Sequence, residues 1–515
     1  MRRGGESPPF NFHLEESVVD DVMTKEGLSF SKIRGFLFPI DNWELPKFIP
    51  MAVMIFVTVF NLTMLRNAKD ALMVTAPCSG AETITFLKLY GVLPTTFVFS
   101  LLYVRLRKAT NFITCYYAIV GMFIAFFILF VTYLYPNALN IQPDVEYIKS
   151  LQNMYPRFKY LFPIYGVWTY ALFYVMSELW GALCLSILFW QMANDMIGPN
   201  EAKRFYPLLI FVSHTSVVLL SALMRSFCNC TGAQIIQYTV QIAIVLASIL
   251  LVVFYYLHRY ILVQPKFKQD ILKKSRKPKV TLSFTESIRQ AMHSPYVGLI
   301  AVLVLSYGVI INLIDVTWKS RLLAATGSLE AYYQYMSTFT FWLGIISMCF
   351  IYLSKGALMR FGWRFCAMTT PVIMLITGLV FFVYLVIGGD LMAESSSLWP
   401  GTALVVMVGG FGLLFTKSAK YSFFDPTKEM SFIPLPYDLR IAGKAAVDGI
   451  GGRLGESSGG FIQSLLLIWT AGTQVDIAPY LLILTVVLSV VWLISVYRLN
   501  DLYQEQLSIA TKGDE

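Results

Sequence analysis

Long apolar runs separated by short polar breaks organise this chain. A helix needs about 20 predominantly apolar residues to cross a bilayer, and the runs have that length. Twelve are present, centred near residues 55, 95, 124, 178, 216, 249, 302, 342, 376, 408, 460 and 486. The short alternating segments of a transmembrane barrel are not seen. The pattern predicts an all-α polytopic membrane protein with twelve transmembrane helices. The polar intervals divide it into a segment over 1–45, a six-helix bundle over 46–263, a basic linker over 264–291, a second six-helix bundle over 292–499 and a tail over 500–515.

Composition agrees. The 515 residues are 57% hydrophobic and 14% charged, against about 25% charged in a soluble domain, and the mean hydropathy is +0.63. Charge then adds orientation, because cytoplasmic loops are enriched in Lys and Arg. With the N-terminus inside, 30 of the 40 Lys and Arg fall in inside segments. Only seven fall outside: Arg66, Lys69, Lys149, Arg157, Lys159, Lys319 and Arg321. Both termini are therefore expected in the cytoplasm, and the net charge of +9 reads as an orientation signal, not a nucleic-acid footprint. Residues 1–45 are mixed in charge and lack the apolar core of a signal peptide, which points to direct insertion into a bacterial inner membrane. Cys228 and Cys230 fall in a predicted outside turn, but a C-x-C pair alone does not specify a disulfide.

The stretch "KFKQDILKKSRKPKV", 266–280, separates six spans from six. Two six-span halves joined by a basic inside linker is the layout of major-facilitator-type transporters, whose substrate site lies near the midplane between the halves. The linker itself reads most simply as a solvated inside loop; contact with anionic lipid is the alternative.

An ionisable side chain within a span is costly unless it faces a partner or a cavity, so the charges inside the spans carry the functional argument. In "LRNAKDALMVT", 65–75, Arg66, Lys69 and Asp70 share a helix face, either as an exposed helix end with local pairing or as a cationic patch at a cavity mouth. Lys88, in "FLKLYGVLP", either snorkels or faces that cavity. Glu178 sits centrally in "FYVMSELWGALCLSILFW" with no cation within four residues, so its partner must come from another helix or a ligand. Asp315 and Lys319 form an i, i+4 pair in "SYGVIINLIDVTWKSRLL"; they either neutralise each other or serve a ligand, with Trp318 available to stack a flat ring. Beyond "FTKSAKYSFFDPTKEM", 415–430, whose lysines are assigned to an inside loop, comes "DGIGGRLGESSGG", 448–460. Here Arg453 and Glu456 enter a span among six glycines. Such glycines either let helices pack closely or let backbone approach a phosphate.

No enzyme constellation competes. "GGRLGESSGG" lacks the lysine and the preceding strand of a phosphate-binding loop. His13, His214, His258 and His293 have no metal-ligand spacing, and His214 reads as a packing residue. No cofactor, metal or nucleic-acid partner is expected.

Several stretches together resemble the ATP/ADP translocase family of nucleotide transporters found in plastids and obligate intracellular bacteria: "NLTMLRNAKDALMVTAPCSGAETITFLKLYGVLP", "SELWGALCLSILFWQMANDMI", "EAKRFYPL", "YGVIINLIDVTWKS", "KYSFFDPTKEMSFIPL" and "GKAAVDGIGGRLG". The resemblance runs in order from about residue 35 to 500. It implies two six-helix bundles of major-facilitator type and alternating-access transport, by ATP/ADP exchange, proton-coupled nucleotide import, or exchange of another nucleotide such as NAD against ADP. It implies nucleotide as partner (ATP, ADP, another triphosphate or NAD), with protons as coupling ion in some members, and we expect a lipid-embedded monomer. The family's four important charged positions match Lys69, Glu178, Asp315 and Glu456. Two depart from the ATP/ADP exchangers: Asp315 replaces the usual glutamate, and Glu456 replaces the usual lysine of R-x-G-K-S-G-G. The lysine usual before G-K-A-A is also missing near Ala442. Arg66, Lys69, Glu178, Asp315, Lys319, Lys444 and Arg453 are accordingly the candidate substrate-binding residues, and Glu456, Glu178 and Asp315 the candidates for coupling or specificity. Two rival readings are a non-transporting membrane receptor, which would not need Glu178, and a carrier of an unrelated organic anion, which would tolerate loss of Lys69.

Overall fold

The computed structural model describes residues 40–197, 199–261, 294–391, 401–435, 439, 443, 444, 447 and 451–513. The N-terminal segment before residue 40 and the predicted linker lie outside the described residues.

Among the described residues, eleven helices are long and apolar enough to cross a membrane. They are α1 (Leu45–Val74), α2 (Ala81–Arg107), α3 (Phe112–Leu134), α4 (Trp168–Met196), α5 (Arg204–Ser226), α6 (Gly232–Ile261), α7 (Pro295–Thr326), α8 (Leu329–Ser354), α9 (Gly356–Ile387), α10 (Ala403–Ser431) and, last in the chain, α12 (Ala478–Glu505). Between the last two lies α11, Gly452–Thr470, the polar-headed span that begins in "DGIGGRLGESSGG". Arg453, Glu456 and the serines and glycines of its first turns make it less apolar than the others, yet it packs against α7 and α2 like a span. The twelve expected spans are thus accounted for as helices.

Local sequence explains several boundaries. Thr231 and Gln234 form a reciprocal capping box at the start of α6, satisfying two free backbone donors. Gly327 ends α7 with φ 67°, its N–H bonded to the Leu323 carbonyl, the left-handed C-terminal cap that glycine takes without a Cβ penalty. Gly362 has φ 78° and ψ −179°, a region open only to glycine, and kinks the helical run near the start of α9.

The helices form two six-helix bundles. In the first, α1 packs on α4, α5 and α6; in the second, α7 packs on α10, α11 and α12, and α9 and α8 cover α10. The bundles meet along two seams, α5 against α8 and α2 against α7 and α11. Glycine makes both seams close. A Cβ on Gly344 of α8 would stand 2.7 Å from Val218 Cγ2 of α5, and one on Gly460 of α11 would stand 3.2 Å from the Thr85 carbonyl oxygen of α2.

Twelve spans place Leu45 and Glu505 at the same end of the molecule, here the terminal end. At the far end a series of hydrogen bonds joins the bundles. Glu82 Oε1 accepts from Ser320 Oγ at 2.9 Å and from the Gln474 backbone N–H at 3.4 Å. Lys159 Nζ and Tyr160 Oη donate to the carbonyls of Ala471 (3.0 Å) and Gly472 (2.9 Å). The Gly232 N–H donates to Glu330 Oε1 at 2.5 Å.

A candidate transport site between the bundles

The end of α1 brings Lys69 and Asp70 to the boundary between the bundles, and both are buried. A row of alternating charges runs through them. Glu178 Oε1 of α4 lies 2.9 Å from Lys69 Nζ, which lies 2.7 Å from Asp70 Oδ1. Asp70 Oδ2 reaches across the boundary to Lys319 Nζ of α7, also at 2.7 Å. Lys319 pairs one turn back with Asp315 Oδ2 at 2.6 Å, and Asp315 Oδ1 accepts from Lys417 Nζ of α10 at 2.8 Å. Three carboxylates and three ammonium groups thus neutralise one another in sequence, which lets six charges sit where an unpaired one would cost several kcal/mol. The Tyr174 ring supports Lys69, whose Nζ stands 3.6 Å from its centroid, close enough for a cation–π attraction.

Three further charges on spanning helices have no such partner. Arg66 and Glu456 are exposed and Lys88 is half-exposed, and none of the three makes a hydrogen bond or ion pair among the described residues. They face inward. Arg66 on α1 lies within electrostatic reach of Glu178 on α4, Tyr421 on α10 and Glu456 on α11, and its guanidinium lies beside the α4 backbone at Gly181. Lys88 on α2 lies within reach of Glu178 and of Asp315 on α7. Glu456 is within reach of Lys420 on α10 and Tyr307 on α7. Charged side chains that are exposed while within reach of helices of both bundles mark a candidate transport cavity. Lys420 adds a cation to its wall, paired with Asp425 at 3.1 Å. Among the described residues no group of His, Cys, Asp and Glu could hold a metal ion.

Backbone irregularity coincides with these charges. The helical hydrogen bonding widens to π-type over Lys88–Val92, Gly181–Phe189 and Lys420–Phe424. Such turns are frequent at functional sites, and these three begin at Lys88, at Lys420 and one turn after Glu178, whereas two others, Phe130–Leu134 and Leu257–Ile261, lie away from the charges.

The sequence candidates separate accordingly. Lys69, Glu178, Asp315 and Lys319 belong to the charge row, and Arg66 and Glu456 line the cavity. Arg453 lies in the first turn of α11, with its side chain outside the described residues. Lys444 is not brought to the site; it pairs with Glu429 in the last turn of α10. Trp318 does not offer a ring face to a ligand. It is fully buried, its Nε1 donates to the Val406 carbonyl at 2.9 Å, and its indole packs at 4.9 Å from Phe339, because residue 318 points into the α7–α10 core. His214 packs edge-on against Tyr421 at 5.4 Å, the packing role expected of it. Sequence reasoning did not assign Asp70, Lys88, Lys417 or Lys420 to the site. For Asp70 the signal was present in the face it shares with Arg66 and Lys69.

The glycines of α11 serve helix packing. A Cβ on Gly308 of α7 would lie 2.8 Å from the Gly455 Cα and 2.9 Å from the Glu456 backbone nitrogen, and one on Gly459 would lie 3.0 Å from the Val309 carbonyl oxygen. The α7 and α11 backbones are therefore in contact, and this crossing presents Glu456 to the cavity.

Comparison with known proteins agrees with the geometry. The profile of the TLC ATP/ADP transporter family matches residues 23–503. ADP,ATP carrier protein 3 of Rickettsia conorii is 37% identical over 497 residues, covering 92% of this chain and 98% of the relative. ADP,ATP carrier protein 1 of Rickettsia bellii is 38% identical over 489 residues (93% and 98%), and ADP,ATP carrier protein 1 of Chlamydia muridarum is 37% identical over 507 (94% and 95%). Among solved structures, a bacterial homologue of the iron transporter ferroportin in an inward-facing state superposes with a TM-score of 0.52 at 14% identity, over 89% of this chain and 99% of that one. A POT family transporter in complex with 5-aminolevulinic acid gives 0.51 at 11% identity, over 87% and 96%. These likenesses show the fold, which is major-facilitator-like. A multi-pass membrane transporter and not an enzyme, the chain belongs to the TLC ATP/ADP transporter family.

Proposed function

We propose that this transporter moves nucleotides across a bacterial inner membrane by alternating access, with ATP/ADP-type exchange as its cycle. The observation that carries the reading is the charge row that crosses between the bundles at Asp70 and Lys319. Nucleotide phosphates are anions and compete with carboxylates for the same ammonium groups. A phosphate that draws Lys319 from Asp70 loosens the link between the bundles while supplying the negative charge that Lys319 loses. Bundle movement then depends on cargo, which is the requirement of an exchanger. The distribution of Lys and Arg supports a cytoplasmic terminal end; in that orientation the joined far end faces outward and the cavity loads from inside.

Glu456 favours a second reading. A carboxylate facing the cavity without a partner repels phosphate unless it is protonated. Proton-coupled import is the cycle this suggests, or exchange of a nucleotide with fewer phosphate charges, such as NAD against ADP. Uptake of labelled ATP, ADP, GTP, UTP and NAD into intact cells separates these cycles. Exchange requires a preloaded counter-nucleotide and persists with an uncoupler; proton-coupled import does the reverse. Absence of uptake for every nucleotide would refute both.

A further inference from the structure

We infer that an aromatic cavity at the far end, in the segment joining α3 to α4, binds the ammonium group of a zwitterionic phospholipid headgroup. This site is separate from the charges between the bundles and does not depend on the nucleotide reading.

The cavity has a volume of about 490 Å³, within the range of small-molecule sites. Tyr147, Tyr165 and Trp168 line it, and Asp144 is its one charged lining residue. Local packing brings these side chains together. Tyr147 lies on the helix Val145–Met154 and Tyr165 on the short helix Phe162–Gly166. The two helices touch beside the tyrosines, where a Cβ on Gly166 would stand 2.9 Å from Ile148 Cγ1. Trp168 is held by its Nε1, which donates to the Ile141 carbonyl at 3.2 Å. Gln142, next along the chain, donates through Nε2 to Thr169 Oγ1. The walls are thus positioned by the protein's own bonds.

The lining chooses the ligand. The rings of Tyr147, Tyr165 and Trp168 remain 53%, 59% and 37% exposed, so they are open to a guest. Aromatic faces attract cations, and cages of such rings recognise quaternary ammonium groups. Asp144 caps the helix Val145–Met154 by accepting from the Glu146 N–H at 3.2 Å, and among the described residues it makes no ion pair. Its charge is therefore available to a cation and repels an anion. Position supplies the source. Trp168 is the first residue of α4, so the cavity lies where a span meets the headgroups. Tyr and Trp are common at that level as anchors. An anchor has no need of a carboxylate in a shared concavity.

The test uses the purified full-length protein and two probes, choline and its uncharged isostere in which carbon replaces nitrogen. Calorimetry should show choline binding about tenfold more tightly than the isostere, as a cation–π site requires. Asp144→Asn keeps a helix-capping side chain while removing the charge, and should weaken choline about tenfold. Equal binding of the two probes, or parental choline binding by Asp144→Asn, overturns the inference. The lipid is tested on the unaltered chain, reconstituted in an equal mixture of phosphatidylcholine and phosphatidylglycerol with the same acyl chains. Native mass spectrometry should find phosphatidylcholine retained in preference, and free choline should displace it. Choline binding without that preference overturns the lipid as occupant. Failure of both probes and both lipids to bind overturns the site, and none of these outcomes bears on nucleotide transport.

Discussion

Asp70 and Lys319 lie 249 positions apart in the chain and 2.7 Å apart in the folded protein, and they tie one bundle to the other through a buried ion pair. Each keeps a second partner, Lys69 and Asp315 respectively. Removing one member leaves the row with a surplus charge. We expect Asp70→Asn or Lys319→Gln alone to destabilise the protein by about 3 kcal/mol, the low end for an orphaned buried charge. The double variant restores neutrality, so its loss should fall short of the sum by about 1–3 kcal/mol. Thermal unfolding of the four proteins in detergent measures this, and strictly additive losses would show that the two side chains do not interact.

The α7–α11 crossing leaves no room for a methyl group. At Gly308 a Cβ would strike the Gly455 and Glu456 backbone at 2.8–2.9 Å, and backbone cannot swing aside as a side chain can. Gly308→Ala should therefore cost about 1–3 kcal/mol by overpacking. Gly452→Ala, whose Cβ would meet only Val304 Cγ1 at 3.9 Å, should leave the melting temperature unchanged. Equal melting temperatures for the two variants would count against so close a crossing.

Glu456 sets the charge of the cavity wall beside Arg66 and Lys420. Glu456→Lys changes that wall by two charge units and places there the residue usual in the ATP/ADP exchangers. The expected result is a shift toward ATP/ADP exchange with weaker dependence on the proton gradient. Counter-exchange measured across a range of pH, with and without an uncoupler, reads both effects. An unchanged substrate and pH profile would remove Glu456 from the transport path.

Glu82 joins α2 to Ser320 and to the turn before α12. Without this acceptor the far end loses two of the hydrogen bonds that join the bundles there. In a background lacking other cysteines, Ser320→Cys should react slowly with a membrane-impermeant thiol reagent, because Ser320 is buried. Adding Glu82→Ala should speed the reaction several-fold. No change in rate would mean that this bond does not hold the far end closed.

The helices were legible in the sequence because membrane insertion demands long apolar runs. Even α11 was, despite Arg453 and Glu456, since the apolar stretch "FIQSLLLIWT" completes it. The site was legible only in part. Glu178, Lys69, Asp315 and Lys319 declare themselves as charges in apolar surroundings. Lys417 and Lys420 do not, because the same charges that line the site interrupt the apolar run and imitate a loop. The helix continues through them to Ser431, since Asp315 and Asp425 neutralise them. That compensation comes partly from α7, which no local window sees. Trp318 misled for the converse reason: its place beside charged neighbours suggested a ligand face, whereas its own direction leads into the core.

The charge row has an electrical consequence. Glu178, Lys69, Asp70, Lys319, Asp315 and Lys417 sum to zero, with −1 on the first bundle and +1 on the second, so a movement that carries both halves of the row equally takes no net charge from it through the membrane field. A voltage of 100 mV acts on each unbalanced elementary charge with about 2.3 kcal/mol, and the row offers it no purchase. The resting potential then acts on the unpaired Arg66, Lys88 and Glu456, which together carry +1, and on the cargo, so if the cycle is nucleotide exchange, any current that accompanies turnover reports the charge of these three groups together with the charge difference between the nucleotides exchanged.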